Sequence, residues 1–430
     1  MRVHLKTLGC RLNEAELETG AQQVQAAGHR LVDTPGEADL VVLNSCAVTQ
    51  DAVRKSRHLL RRTARENPAA KLIMSGCYAS LKPQEAESLG IDLVVTNADK
   101  HRLVEIARER LALPLMPALS TEPGATALFR LGRHRAFIKV QDGCRYRCTY
   151  CIVTVARGEE RSRPIAEVVE EINRLHAEGI GEAVLTGVHL GGYGSDTGAS
   201  LGELVEAVLR DTDIPRLRLG SLEPWDIPER FIRLFEHPRL MPHLHLPLQS
   251  GSDTVLKRMA RRCRTDEFAR LADRLRGSVP AINLTTDLIV GFPGETEAEW
   301  RETLSFVERV GFGHLHIFSF SPRMGTAAAS LAGAVPGDVK RSRSRALHDL
   351  AEIQKRRFAE SHVGQTLPIL WEGVRTLDDG QRWIFGYTPN FLKVGMPLRH
   401  EQDSRLSYTL ADARLLGWVA DGGYLLGELA

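Results

Sequence analysis

The sequence lacks long apolar runs and a strong charge of either sign. No apolar segment approaches the roughly 20 residues that a helix needs to cross a bilayer. The first residues, MRVHLKTLGC, also lack the apolar core of a signal peptide, so we expect a cytoplasmic protein that contacts no membrane. With a formal net charge of only +2, the overall electrostatics of the chain indicate no particular partner.

The stretch DGCRYRCTYC (142–151) contains three closely spaced cysteines but lacks a fourth metal ligand. Its cysteines, Cys144, Cys148 and Cys151 (the central triad), have the spacing C-x3-C-x2-C, and the next cysteine is Cys263. Thiols stay reduced in the cytosol, so such a group indicates metal binding rather than disulfides. A structural zinc site uses four ligands, whereas three thiolates on a four-iron, four-sulfur cluster leave one iron open to a substrate or cofactor. Zinc with a remote fourth ligand is the alternative.

Short apolar runs alternate with helical patterns over residues 1–112. Runs rich in Val, Ile and Leu are typical of parallel strands that are buried on both faces. Their alternation with helices predicts a doubly wound parallel sheet. The predicted strands are VHLKTLG, ADLVVLNS, AKLIMSG and GIDLVVTN. The segment 113–133, with its prolines and small residues, is interpreted as a linker.

Six further strand–helix units follow in residues 134–361. They predict a partial (β/α)6 barrel, in which chemistry takes place at the C-terminal ends of the strands. The predicted strands are AFIKVQDG, EAVLTGV, RLRLGSL, HLHLPLQ, NLTTDLIVGF and HLHIFSFSP. Residues 362–430 are strand-rich with Gly and Asp turns, which predicts a small all-β barrel. The expected fold class is therefore α/β with a C-terminal all-β unit.

Three of the remaining cysteines each follow a predicted strand of the N-terminal sheet. Cys10 ends VHLKTLGC, Cys46 ends DLVVLNSC and Cys77 ends KLIMSGC (the N-terminal triad). Because the C-terminal ends of parallel strands share one edge of a sheet, we expect these thiols to converge there. They form a second candidate metal site with three ligands. Zinc, or three ordinary buried thiols, are the alternatives.

The motif GCRYRCTYC resembles the cluster loop of radical S-adenosylmethionine enzymes. Together with TLGCRLNEAE, LNSCAVT, SGCYA and the all-β tail, it is similar to the methylthiotransferase family over essentially the whole chain. The resemblance implies an N-terminal cluster domain (1–112), a radical barrel (134–361) and a TRAM-like RNA-binding barrel (362–430). Within the family, TLGCRLNEAELE, NSCAVTQDAVRKSR and FGYTPNFLKV are most similar to the bacterial branch that acts on threonylcarbamoyladenosine at tRNA position 37.

The resemblance also implies the cofactors and partners. These are two four-iron, four-sulfur clusters, S-adenosylmethionine, a tRNA substrate and an electron donor such as flavodoxin or ferredoxin. The cluster on the central triad would cleave S-adenosylmethionine to a 5′-deoxyadenosyl radical, which takes hydrogen from carbon 2 of the adenine. The cluster on the N-terminal triad would supply sulfur, and a second S-adenosylmethionine the methyl group. The protein supplies placement and exclusion of water.

Other residues near the predicted strand ends are candidates for binding S-adenosylmethionine. A Gly-rich turn allows close backbone approach, a carboxylate can accept hydrogen bonds from ribose hydroxyls, and an arginine can pair with a carboxylate. The candidates are Thr186, Gly187, Glu223, Gln249, Ser250 and Arg163. The alternative is that these residues form only strand-to-helix turns.

RNA binding rests mainly on the resemblance, because the tail 361–430 is net acidic and phosphate binding needs basic contacts. Better basic tracts are RKSRHLLRR (54–62), RMARRCR (258–264) and KRSRSR (340–345), although such tracts commonly form solvated helix faces. Aromatic residues of the tail either stack on bases or form its core. They are Trp371, Trp383, Phe385, Tyr387 and Phe391.

Three alternatives to threonylcarbamoyladenosine methylthiolation stay open on the sequence. The first is methylthiolation of isopentenyladenosine in tRNA, and the second is methylthiolation of a ribosomal protein aspartate. The third, of a different class, is an RNA-binding protein that metal ions stabilise and that has no catalytic activity. Iron and sulfide analysis separates the last alternative from the others, since zinc without sulfide would support it.

Overall fold

The computed structural model describes residues 1–111, 134–377, 379–398 and 405–430. The predicted linker, 113–133, lies outside the described residues. Within the described ranges, no helix has the length and apolar character required to cross a bilayer.

The N-terminal unit is built on a five-stranded parallel sheet. Val41 and Leu43 pack in one hydrophobic core, whereas Leu40 and Val42 pack in another on the opposite face. Both faces are buried, which confirms the predicted doubly wound sheet. The strands, in the order β2-β1-β3-β4-β5, are β1 (Arg2–Thr7), β2 (Arg30–Leu31), β3 (Leu40–Ser45), β4 (Lys71–Gly76) and β5 (Leu93–Val95). The helices are Arg11–Ala26, Gln50–Glu66, Cys77–Leu81, Pro83–Glu87 and Leu103–Arg110, with 3-10 turns at Pro35–Glu37 and Lys100–Arg102.

The second unit is a partial barrel of six parallel strands, as predicted. Two three-stranded sheets are joined by single bridges from Leu217 to Leu240 and from Ser221 to His245. The strands are β6 (Arg135–Lys139), β7 (Gln141–Asp142), β8 (Arg161–Ser162), β9 (Glu182–Thr186), β10 (Arg216–Leu219), β11 (His243–His245), β12 (Asn283–Val290) and β13 (His314–Ser319), of which β7 and β8 form a short antiparallel pair outside the barrel. The helices are Val153–Arg157, Ile165–Ala177, Leu201–Asp211, Glu229–Ile232, Asp253–Arg258, Thr265–Ser278, Glu297–Val310 and Gly337–Glu360, with 3-10 turns at Leu190–Gly192, Pro224–Asp226, Arg233–Glu236 and Ala327–Ser330.

Side chains on the barrel strands alternate between the outer helices and the barrel interior. On β12 and β13, Leu288 and Leu315 belong to the hydrophobic core shared with the outer helices. Because successive side chains of a strand point to opposite faces, Asp287, His316 and Phe318 face the interior.

The first helix of the N-terminal unit covers the open edge of the barrel. The edge strand β6 pairs with β9 on one side only. On its free side, the backbone N–H of Phe137 donates to Glu18 Oε2 at 3.1 Å, and Ala15 packs with Phe137 and Val184. An exposed edge strand leaves backbone groups unpaired. Helix Arg11–Ala26 therefore satisfies part of this edge and joins the two units.

The C-terminal unit is a closed five-stranded barrel, as predicted. Trp371 and Phe385 are buried in it, so they stabilise its core and are not available to stack on bases. Phe391 lies instead beneath the central barrel, with its ring centroid 5.1 Å and 4.7 Å from the guanidinium carbons of Arg135 and Arg218. The tail thus docks at the N-terminal ends of the barrel strands. Its strands are β14 (Thr366–Thr376), β15 (Arg382–Tyr387), β16 (Lys393–Pro397), β17 (Leu410–Val419) and β18 (Tyr424–Leu429).

Candidate active site

The central triad lies in the loop after β7, close to the C-terminal end of the first barrel strand. Gly143 begins this loop with a φ of +77°, and an added Cβ would overlap the backbone of Glu159. Only glycine therefore fits this turn. The far side of the loop is held by Thr149, whose N–H and hydroxyl donate to the carbonyl oxygens of Met259 and Arg258, each at 3.0 Å.

The three cysteines of the central triad are each partly exposed. Burial raises the pKa of Cys144 to about 12 and that of Cys151 to about 11. Thiols of this kind keep their protons until a metal displaces them. The loop therefore offers three sulfur donors that an incoming metal can reach.

Arg261 connects the central triad to the end of the third barrel strand. Its Nη1 lies 3.8 Å from Cys148 Sγ, and its Nη2 donates to Glu223 Oε2 at 2.6 Å. Its guanidinium carbon lies 4.6 Å from the centroid of the Trp225 ring. The structure thus places Glu223, a candidate from the sequence, beside the triad as half of an ion pair. Sequence reasoning treated Arg261 only as part of a basic tract.

The strands that carry the N-terminal triad end at the same level. Asn44 on β3 is the direct neighbour of both Thr7 on β1 and Ser75 on β4. Cys46 follows at this edge, and the sulfurs of Cys10 and Cys77 are close enough to interact with it electrostatically. The predicted convergence of the three thiols is therefore present in the structure.

Local geometry explains why glycine precedes cysteine at the end of β4. Gly76 has a φ of +96° and a ψ of −170°, a region that is essentially restricted to glycine, and an added Cβ would overlap the carbonyl oxygen of Ser45. Cys77 is thereby turned into the first residue of the following helix. Cys10 occupies the N-cap of helix Arg11–Ala26.

Asn97 connects the N-terminal triad to the helix that follows the central triad. Its Nδ2 lies 3.8 Å from Cys77 Sγ and donates to the carbonyl oxygen of Ala156 at 3.1 Å. Ala156 belongs to helix Val153–Arg157, which begins two residues after Cys151. The two triads therefore lie on neighbouring elements at the junction of the N-terminal unit and the barrel.

Comparison with known proteins now identifies the family. Residues 138–307 match the Radical SAM superfamily, and residues 2–96 match Uncharacterized protein family UPF0004. The chain is 39% identical to the threonylcarbamoyladenosine tRNA methylthiotransferase MtaB of Thermotoga maritima over 86% of each chain. The chain belongs to the methylthiotransferase family. It is also 36% identical to MtaB of Bacillus subtilis, over 91% of this chain and 89% of the relative.

A second group of methylthiotransferases is similarly close. The chain is 37% identical to the tRNA-2-methylthio-N(6)-dimethylallyladenosine synthase of Maricaulis maris over 86% of each chain. Among solved structures, the radical S-adenosylmethionine methyltransferase TsrM from Kitasatospora setae has a TM-score of 0.57 at 16% identity, covering 74% of this chain and 72% of that chain. This likeness supports the fold alone. Membership of the radical S-adenosylmethionine class means that the enzyme uses a four-iron, four-sulfur cluster and S-adenosylmethionine.

In this methylthiotransferase a histidine lies beside the central triad but is engaged elsewhere. His189 Nδ1 is 2.6 Å from Glu160 Oε1, and its Nε2 is 2.6 Å from Asp226 Oδ2. Burial opposes protonation of His189, but these hydrogen bonds outweigh it and raise its pKa. Potential ligand atoms of Cys144, Glu160 and His189 lie within 4.8 Å of one another. However, both His189 nitrogens are hydrogen-bonded to carboxylates and Glu160 accepts from Arg145 and Ser195, so these bonds would have to break before either side chain could bind a metal. The donor set of three thiols therefore fits a cluster with one iron left open for S-adenosylmethionine.

The same group of residues fixes the shape of the cluster loop. Glu160 accepts a hydrogen bond from the backbone N–H of Arg145 at 3.1 Å, one residue after Cys144. The Tyr146 ring packs edge-on against His189, with 4.7 Å between centroids. The sequence did not single out His189, because the motif TGVHLGGYG suggests only a Gly-rich turn that allows close backbone approach to a ligand.

Three of the other candidate cofactor residues lie at the ends of barrel strands. The carbonyl oxygen of Thr186 accepts from the Val140 N–H at 2.9 Å. An added Cβ at Gly187 would lie 2.9 Å from Gln141 Oε1, so the backbone runs close to that side chain. Gln249 has a φ of +78° and a bridge to Leu288. Contact of these residues with S-adenosylmethionine stays a prediction.

The remaining two candidates are engaged with outer helices. The Ser250 hydroxyl lies 3.2 Å from Thr303 Oγ1 on helix Glu297–Val310. Arg163 Nη1 donates to Glu171 Oε2 at 2.6 Å on helix Ile165–Ala177. Neither of these hydrogen bonds is to the cluster loop, and a role in cofactor binding stays a prediction for both.

A buried group of ions fixes the N-terminal unit against the cluster loop. Glu16 pairs with Arg157 at 2.8 Å, Lys139 at 3.0 Å and Lys100 at 2.5 Å, while Asp142 pairs with Arg157 at 3.1 Å and Lys139 at 2.6 Å. Burial opposes ionisation of Glu16, but the charges of Lys100, Arg157 and Lys139 outweigh it and hold the Glu16 pKa well below its usual range. The five side chains act as one electrostatic unit.

Proposed function

We propose that this enzyme adds a methylthio group to carbon 2 of N6-threonylcarbamoyladenosine at position 37 of tRNA. The observation that carries the proposal is the adjacency of two three-thiol sites, one from each unit, with Asn97 between them. Transfer of sulfur to an unactivated carbon requires a radical source and a sulfur source close together. Two relatives, which are 39% and 36% identical to this chain over most of their length, are named for this activity.

Each triad has a separate part in the proposal. The central triad holds the cluster that, with S-adenosylmethionine, supplies the radical, and the N-terminal triad holds a second cluster that supplies sulfur. The chain itself positions these groups. Arg261 and Glu223 place a neutralised ion pair beside Cys148. Helix Arg11–Ala26 covers the open edge strand of the barrel, which limits the entry of water.

The tRNA contacts of this proposal lie mainly on helix Gln50–Glu66. This helix begins four residues after Cys46, and Arg54 and Arg61 are exposed on it, although Arg54 also forms a surface pair with Asp51. The other basic tracts are partly engaged within the protein, since Arg258 pairs with Glu299 at 2.8 Å and Arg343 with Glu295 at 2.8 Å. Exposed arginines along one helix can follow the phosphates of the anticodon stem. The TRAM-like tail supplies further RNA contacts, and flavodoxin or ferredoxin the electrons.

The substrate is tested by mass spectrometry of tRNA nucleosides from a strain that lacks this gene. Loss of methylthio-threonylcarbamoyladenosine, with accumulation of threonylcarbamoyladenosine, is the expected result. Loss of methylthio-isopentenyladenosine instead would replace the proposed substrate by the one named in the Maricaulis maris relative. Restoration of the modification by the wild-type gene, and not by a Cys148→Ala gene, is the matched control.

The division of labour between the triads is tested with purified, anaerobically reconstituted variants. Cys46→Ala should still cleave S-adenosylmethionine when reduced but should fail to add sulfur to RNA. Cys148→Ala should lose both reactions. Wild-type protein should contain iron and sulfide at both sites. Zinc without sulfide would support the non-catalytic alternative, and loss of cleavage in a folded Cys46→Ala protein that retains the central cluster would refute the assignment.

A further inference from the structure

Three ionisable side chains meet inside the barrel on neighbouring strands. They are His245 at the end of β11, Asp287 on β12 and His316 on β13, with potential ligand atoms all within 4.8 Å of one another. Asp287 and His316 are direct partners across the two strands. The sequence motifs give His245 and His316 no part in the chemistry, whereas Asp287 begins DLIVGFPGET, a stretch at a barrel strand end that could frame the adenine.

Arginines next to each cysteine triad interact with this group. Asp287 interacts electrostatically with Arg261, which contacts Cys148. His316 interacts electrostatically with Arg11, which directly follows Cys10 and lies 4.9 Å above the ring of Phe137. The group is therefore linked through one arginine to each triad.

The hydrogen bonds within the group leave one member available to a ligand. His245 Nε2 is 3.2 Å from Asp287 Oδ1, and His245 Nδ1 is 2.9 Å from Thr285 Oγ1, so both nitrogens of His245 are used. His316 is exposed, and within the described ranges its nitrogens have no hydrogen-bond partner. Arg11 interacts electrostatically with His316 and pairs with Glu14 through Nη1 at 3.0 Å. Because a guanidinium has five N–H donors, Arg11 can also donate to an anionic ligand beside His316.

An apolar layer lies one step closer to the cluster loop. Two residues after Asp287 and His316 on the same strands, Ile289 and Phe318 are again direct partners. Phe318 is 44% exposed, and Ile289 packs in the hydrophobic core that includes Tyr150 of the cluster loop. The two layers are separated by about 6.6 Å, since a parallel strand rises about 3.3 Å per residue. This spacing suits a base with a polar substituent.

We infer that His316, whose ring packs edge-on against His245 and His314, binds the carboxylate of the acidic N6 substituent while the base packs on Phe318. This inference rests on the proposed function and deepens it, since it assigns the choice between an acidic and an apolar N6 substituent to one side chain. A nucleobase that is modified enzymatically is commonly unstacked, packed on an aromatic ring and read by hydrogen bonds. The His316 imidazole donates such a bond, and the Arg11 guanidinium offers a second donor.

The expected selectivity follows from the cost of leaving a polar group without its partner. A hydrogen bond to a carboxylate is a charge-assisted bond, so its loss should reduce kcat/KM for the acidic substrate by about 10- to 100-fold. The His316→Leu variant loses the donor, whereas His316→Gln retains one. The effect should vanish on a substrate whose N6 substituent has no carboxylate.

The test compares wild type, His316→Leu and His316→Gln on three anticodon stem–loop RNAs. Position 37 carries threonylcarbamoyladenosine, isopentenyladenosine or adenosine. Affinity is measured by fluorescence anisotropy with cluster-loaded enzyme without S-adenosylmethionine, and kcat/KM by mass spectrometry. We expect His316→Leu to weaken binding of the threonylcarbamoyl RNA by about 10- to 100-fold and to change binding of adenosine RNA by less than about 3-fold. His316→Gln should restore much of the affinity.

A matched control is His348→Leu, the same change at an exposed helical position, which should leave all three affinities unaltered. Equal affinity of wild type and His316→Leu for the threonylcarbamoyl RNA, with turnover by wild type, would overturn this inference and leave the proposed function intact. Wild-type turnover of isopentenyl RNA alone would overturn both. One equivalent of iron or zinc beyond the clusters, lost in His316→Leu, would show that a cation occupies the group instead.

Discussion

Arg157 of the barrel donates to Glu16 of the N-terminal unit through both terminal nitrogens, with Nη1–Oε1 at 2.8 Å and Nη2–Oε2 at 3.3 Å. Arg157 ends the helix that follows the central triad, and Glu16 lies in helix Arg11–Ala26, whose N-cap is Cys10. Separating a buried ion pair costs free energy, because it leaves uncompensated charges in the protein interior. The relative position of the two triads is therefore set by this pair and by the lysines around it.

Replacement of Glu16 by Gln should destabilise the protein by about 3–5 kcal/mol, because it removes the carboxylate that pairs with Lys100, Lys139 and Arg157, of which Asp142 pairs only with the last two. Urea unfolding at pH 7 measures the change. The control is Glu66→Gln, which breaks the exposed Arg62–Glu66 pair and should cost no more than about 1 kcal/mol. Equal midpoints for the two variants would show that the buried group contributes no more than a surface pair.

Replacement of Gly76 by Ala should prevent correct assembly of the N-terminal triad. The change combines backbone strain of about 1–3 kcal/mol with overlap between the new Cβ and the Ser45 carbonyl. The control is Gly90→Ala, where φ is +80° but no atom lies within 4 Å of the added Cβ. Anaerobic reconstitution should give Gly76→Ala about half the iron of wild type, while Gly90→Ala retains all of it. Full iron content in Gly76→Ala would contradict the prediction.

Removal of the Phe391 ring should loosen the docking of the C-terminal unit. The ring packs against Arg135, Arg218 and, at 5.0 Å between centroids, His243. Phe391→Ala should cost about 3 kcal/mol, the lower end for a buried phenylalanine because this ring is only partly buried. Thermal unfolding and protease cleavage between the barrel and the tail measure the effect. Leu416→Ala, at a side chain 42% exposed, should change neither observable.

Glu182 gives the barrel floor a defined pH dependence. Burial opposes ionisation of this carboxyl, but Arg218, Arg135 and Arg216 outweigh it and hold the Glu182 pKa below its usual range. A carboxyl with a lowered folded-state pKa stabilises the fold at pH values above its unfolded pKa of about 4.3, and this contribution is lost as the pH falls towards the folded-state value. Wild type should therefore exceed Glu182→Gln in unfolding free energy at pH 7.

The pH prediction is measured by urea unfolding of wild type and Glu182→Gln at pH 7, 5, 4 and 3. The difference between the two proteins should be constant between pH 7 and pH 5 and should shrink below about pH 4.3. A difference that does not change with pH would mean that Glu182 acts through its shape alone.

The periodic parts of the fold were predictable because their signal is local. All six barrel strands and four of the five strands of the N-terminal sheet carry apolar runs that the sequence reveals. The exception is Arg30–Leu31, which has too few residues to show any periodicity. The role of the tail aromatics could not be decided from the sequence, because a tryptophan buried in a core, such as Trp371, and a tryptophan that stacks on a base are the same residue in similar surroundings of sequence.

The sequence by itself determined the two sets of thiols. The central triad is defined by spacing within eight residues, and the N-terminal triad by a rule of parallel sheets that places every strand end on one edge. Only the tertiary structure decided which polar side chains serve these sites. Arg261 reaches Cys148, His189 is enclosed by Glu160 and Asp226, and Ser250 points to an outer helix. These contacts join residues many positions apart, and their geometry depends on how whole helices and strands pack.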